Sequence, residues 1–155
     1  MKLGEVLKKE RERKKLTAED VAAKIALPLE QYLLMEGGDS PIEEWGPRLA
    51  LIAIQLKTPT SRLIAESGKS AQARQVEGQC GKLIRRHREN RGIPAETLAD
   101  KLQLSLTEVG EIEDGGSALE TYAPLLLSFA EVVEQPIFNL FYPCGLSFQQ
   151  LTDYP

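Results

Sequence analysis

The chain is poor in the groups from which most active sites are assembled. Its 155 residues include two cysteines, Cys80 and Cys144, and one histidine, His87. Two cysteines are too few for a disulfide framework, and neither has neighbours at metal-ligand spacing, so both read as free thiols. They stand near the two ends of one sequence repeat, but in a reducing compartment no bond between them is expected. His87 lies among arginines, no nucleophile motif surrounds a serine or cysteine, and no phosphate-cradling glycine loop is present. The expectation is therefore a non-enzyme with no catalytic residue, no metal, no cofactor and no small-molecule substrate. No apolar run reaches the roughly 18 residues of a membrane span. Met1 to Glu5 leads straight into a charged helical pattern rather than an apolar leader. A cytoplasmic protein without a membrane partner is expected.

What the chain does have is a repeat. The stretch from Ala18 to Gly38 returns from Ala95 to Gly115, 77 residues later and without a gap. A composition of 42% hydrophobic and 27% charged residues is that of an ordinary globular protein, and the repeat favours two small domains. Each would have about 65 residues, a size that folds alone only marginally. In both copies apolar residues recur three and four apart on either side of a tight connection, Leu27-Pro28 or Leu104-Ser105. That pattern predicts a helix, a turn and a second helix. The expected boundaries are residues 1–68, a polar linker at 69–78, a second unit at 79–145 and a tail at 146–155 packing back through Phe148 and Leu151.

Within a copy, residues 2–15 form a basic amphipathic first helix, and Thr17 caps a second helix opened by Glu19 and Asp20. Pro28 sits at the first position of a third helix, which Gly37-Gly38 ends. Ile42 to Gly46 looks too short for a full helix, so a fourth helix is expected from Pro47 to Leu56. A short fifth follows Pro59, from Thr60 to Glu66. The second copy repeats the basic first helix (Lys82, Arg85, Arg86, Arg88, Arg91), Pro94, the stop at Gly115-Gly116, and Pro124 at the position of Pro47. Agreement of so many positions indicates duplication.

The run Leu16-Thr17-Ala18-Glu19-Asp20-Val21-Ala22, then Tyr32-Leu33-Leu34-Met35-Glu36-Gly37-Gly38, then Leu56-Lys57-Thr58-Pro59, resembles the phage-repressor-like (XRE) helix-turn-helix family. The resemblance covers nearly the whole chain. It implies an all-α fold of two tandem five-helix lambda-repressor-like domains and a DNA-associated transcriptional regulator. It also implies two structural ion pairs, Arg11 with Glu36 and Arg88 with Glu113, tying helix one to the end of helix three.

Other positions depart from the family. Where it commonly has a phosphate-contacting glutamine at the start of helix two, this chain has Ala18 and Ala95. The positions that face base edges in the family correspond to Leu29, Glu30 and Leu34, and to Leu106, Thr107 and Glu111. None is among the side chains that make bidentate contacts to guanine or adenine. Two expectations follow. In the first, double-stranded DNA is held mainly through phosphates by Lys14, Lys15, Arg85, Arg86 and Arg91, with Gln31 and Thr107 near the bases. In the second, the third helices are redeployed as a protein or self-association interface centred on Leu29, Leu33 and Leu34. The net charge of −4, with acidic third helices beside basic first helices, weighs against strong phosphate binding. Trp45 and Tyr122 occupy matching positions and are assigned to packing.

Overall fold

The computed structural model describes residues 2–56, 79–135 and 138–141, and all regular structure among them is helical. The first copy contributes α1 (Leu3–Arg13), α2 (Ala18–Lys24), α3 (Leu29–Glu36) and α4 (Ile42–Leu56). The second contributes α5 (Gln79–Asn90), α6 (Ala95–Leu102), α7 (Leu106–Glu113), α8 (Leu119–Val132) and α9 (Phe138–Phe141). The expected fifth helix at 60–66, the linker at 69–78, Cys144 and the tail with Phe148 and Leu151 lie outside the described residues. No helix among the described residues is long and apolar enough to cross a membrane.

Local chemistry starts these helices, and the two copies divide it differently. Thr17 caps α2 through a reciprocal pair of bonds with Asp20, while its counterpart Pro94 precedes α6 without a side-chain cap. At the next helix the roles reverse: Pro28 precedes α3 uncapped, and Ser105 caps α7 reciprocally with Glu108. Pro28 thus occupies the capping position itself, with extended backbone, one residue earlier than the sequence suggested. Each repeated loop also carries one residue in the left-handed region, Lys15 matching Gly92, Ala26 matching Gln103, and Gly38 matching Gly115. Only the second glycine of Gly37-Gly38 and the first of Gly115-Gly116 needs that freedom.

The fourth helix differs from expectation. It begins at Ile42 rather than at Pro47, so Pro47 lies inside it, as Pro124 lies inside α8. Proline there forfeits one helical hydrogen bond. Tertiary contacts offset the loss: the Ser40 hydroxyl accepts the Ile42 amide, Ile42 is fully buried, and the Glu43 carboxylate is bound to α1. Ser117, Leu119 and Glu120 do the same for α8.

In each copy the first two helices pack on the third, α1 and α2 on α3, α5 and α6 on α7. Across copies, α4 lies along α8, and the contacts are reciprocal: α4 touches α6 and α8 touches α2. The short α9 lies on α1 and α4, with Leu140 and Phe141 fully buried. Buried side chains of both copies form one cluster, and Tyr32 of the first copy stacks on Phe129 of the second at 6.5 Å.

Helix one reaches the end of helix three only because a glycine lies at the crossing. A Cβ on Gly4 would strike the carbonyl oxygens of Met35 and Glu36, and a Cβ on Gly81 those of Ile112 and Glu113. Alanine ordinarily favours a helix over glycine by about 0.5–1 kcal/mol, whereas overfilling a close contact costs about 1–3 kcal/mol. Gly4→Ala and Gly81→Ala should therefore each lower stability, measured by urea unfolding. A raised midpoint for either would mean that helix one has room to withdraw.

Candidate interaction surface around the third helices

The close crossing of helices one and three places an arginine beside a glutamate in both copies. Arg11 donates to Glu36 through Nε (2.6 Å) and Nη2 (3.1 Å), and its Nη1 donates to the Leu16 carbonyl at 2.9 Å. Arg88 repeats the arrangement on Glu113, at 2.6 and 2.9 Å, with Nη1 on the Ile93 carbonyl at 2.9 Å. Bonding to the carboxylate pushes both guanidinium groups above their usual value against the opposing effect of burial. Arg85 also reaches Glu113 at 3.2 Å and Asp114 at 2.6 Å.

A second carboxylate, which sequence reasoning missed, anchors the other end of helix one. Glu43 accepts the Leu3 and Gly4 amides at 3.1 and 2.6 Å, and Glu120 accepts those of Cys80 and Gly81 at 3.2 and 2.8 Å. The amides that open a helix have no intrahelical acceptor and carry the positive end of its dipole, so a bridging carboxylate suits them. Its signal in the sequence was the matched pair of glutamates following Ile42 and Leu119. Cys80 is a buried free thiol, pushed up to about 12 by burial and by the nearby Glu120 charge. The Tyr32 hydroxyl is buried near Glu36; burial first and that carboxylate second push its titration up, although no well-formed hydrogen bond joins the two.

These ties change the position of the basic residues. Arg85 is committed to Glu113 and Asp114, and Lys14 to Glu134 of the other copy at 2.6 Å. Neither presents an unattached charge to phosphate. Arg91 donates to the His87 carbonyl at 3.2 Å, while Lys15 and Arg86 are exposed at the surface of their copies. Of the five, Lys14 and Arg85 are thus paired with carboxylates.

On α3, Tyr32 and Met35 turn into the core and Glu30, Gln31, Leu33 and Leu34 turn out. Leu33 and Leu34 are 47% and 50% exposed. Leu29 departs from expectation: it is partly buried and packs against the core, whereas its counterpart Leu106 is 50% exposed. On α7 the outer face carries Thr107, Glu108 and Glu111. The Ser105 amide and hydroxyl hold the Glu108 carboxyl below its usual value. Trp45 and Tyr122 are partly buried and pack against the core.

Beside Leu34, where α3 meets α8, a cleft of about 110 Å3 is lined by Gln31, Leu34, Met35, Asp39, Tyr122 and Leu125 among others. Among the described residues no three His, Cys, Asp or Glu side chains come together as a metal site. Comparison of the chain with protein-family models, with curated proteins and with solved structures found no match.

Glu113 is almost wholly enclosed, so removing Arg88 leaves it only the longer contact to the more exposed Arg85, and removing Glu113 strands Arg88. Arg88→Ala or Glu113→Ala should each cost about 3 kcal/mol or more. The double replacement Arg88→Leu with Glu113→Leu should lose less than the two single losses combined. Differential scanning calorimetry of the three variants checks this; unchanged melting of both single variants would remove the clasp as a source of stability.

Proposed function

We propose that the chain is a non-enzymatic regulatory protein of two tandem five-helix, phage-repressor-like (XRE) helix-turn-helix domains, and that it acts by holding a protein on its third-helix surface. The observation that carries this reading is the outer face of α3 itself. Leu33 and Leu34 stand side by side in solvent where a DNA reader presents hydrogen-bond donors, with Glu30 next to them and an apolar-walled cleft beneath. Exposed leucines are common singly, but two in succession, the second of them lining a cleft, form a patch that association would cover. The second third helix presents Glu108 and Glu111, carboxylates that a phosphate backbone repels.

A sequence-tolerant DNA-associated regulator is the second reading, supported by the exposed positions of Lys15, Arg86 and Arg91 and by Gln31 and Thr107 at the third-helix surfaces. Phosphate binding has a steep salt dependence, with log K falling by about 0.9 per phosphate neutralised for each unit of log salt. Titration against a mixed-sequence duplex at several salt concentrations is expected to show weak binding on the protein-contact reading. In cells, a photocrosslinking residue at position 33 should capture a polypeptide that one at the exposed Glu12 does not. Tight, salt-steep duplex binding that Lys15→Ala with Arg91→Ala weakens, together with no capture at 33, would favour DNA instead.

A further inference from the structure

The repeat places Trp45 with Arg48 on α4 and Tyr122 with Leu125 on α8 at equivalent positions, and a cleft opens beside the second pair. In the 77-residue register Tyr122 corresponds to Trp45, Leu125 to Arg48, Leu34 to Glu111, and Gln31 to Glu108. Beside Trp45, Arg48 covers the ring: its guanidinium carbon lies 4.5 Å from the Trp45 ring centre and its Nη2 lies 3.2 Å from Glu44. Its positive charge also reaches Glu108 across the boundary, a minor addition to the bonds from Ser105.

The cleft beside Tyr122 has an aromatic residue but no cation in its lining. Tyr122 supplies the aromatic ring, Leu125 is too short to cover it as Arg48 covers Trp45, and Asp39 brings a carboxylate where the other copy has Gly116. The lining contains that one charge and no lysine or arginine, and its other walls combine apolar residues, among them Leu34, Met35 and Leu125, with the polar Gln31, Ser40 and Thr121. An aromatic face attracts a cation, and the methylene stem of an arginine packs on apolar surface while its planar head stacks and pairs.

We propose that this cleft receives an arginine side chain of a partner polypeptide, its guanidinium over Tyr122 and beside Asp39, its stem against Leu34, Met35 and Leu125. The inference rests on the third-helix surface being a protein contact, and it names the anchor that such a partner brings. The chain supplies its own template, since Arg48 makes the equivalent contact within the molecule.

The chain has two methionines, Met1 and Met35, so methyl-labelled methionine yields one reporter inside the cleft. The full chain is titrated with acetyl-Leu-Arg-Leu-amide and with the same peptide carrying citrulline, which keeps the shape and removes the charge. The arginine peptide should shift the Met35 methyl saturably, and both the citrulline peptide and Asp39→Asn should bind about threefold to tenfold more weakly. Leu125→Arg, which copies Arg48 into the open cleft, should abolish the shift. Its fold is checked by circular dichroism and by unchanged emission from Trp45; if it unfolds, the exposed Asp39→Asn variant carries the test alone. Equal affinity for the two peptides, no Met35 shift at saturation, or undiminished binding to a folded Leu125→Arg variant would overturn the proposal. Failure here with capture at position 33 intact rejects the arginine anchor alone. Arginine-dependent binding without capture at 33 rejects the wider reading instead.

Discussion

The contact on which the rest of the structure depends is the crossing of helix one over the end of helix three. A glycine at the crossing lets two backbones meet, and that proximity sets an arginine against a glutamate whose carboxylate is largely withdrawn from water. A buried carboxylate of this kind is tolerable only when its lone pairs are occupied. The bidentate guanidinium does so, and its third nitrogen satisfies the loop carbonyl that follows helix one. The amide of that same glycine is held by a carboxylate from helix four. Three of the four main helices of a copy are thereby locked by three charged side chains before apolar packing is considered.

The same economy explains why the basic first helices present less charge than their composition suggests. Arginines that read as a cationic surface in one dimension are spent on carboxylates brought near in three, some in the same copy and one lysine across to the other. The leucines of α3 have the opposite history. Leu33 and Leu34 stay in solvent because Tyr32 and Met35 already fill the inward positions of that helix. A short helix has one buried stripe, and its remaining residues are free to serve a partner.

Duplication gave the two copies a common frame, and small substitutions made them unequal. Thr17 with Pro28 against Pro94 with Ser105 shows that a helix start tolerates either a side-chain cap or a proline when the core holds the helix in place. Arg48 against Leu125 has a larger effect, since a guanidinium covers Trp45 while the cleft beside Tyr122 has no cation in its lining. The two copies share one cluster of buried side chains, with Tyr32 and Phe129 stacked at the boundary, so each copy forms part of the other's core.

The sequence by itself determined the helical class, the repeat and its register, the Thr17 cap and the left-handed glycines, because these depend on periodicity and on interactions a few residues long. Tertiary structure alone decided that α4 and α8 begin before their prolines, since the compensation comes from Glu43 and Glu120 binding amides about 40 residues away. It likewise decided that Lys14 and Arg85 are bound to carboxylates and that Leu29 packs inward while Leu34 borders a cleft. A side chain's type states what it can bind; which groups lie within reach is set by the crossing of helices distant in sequence, and no local pattern encodes that distance.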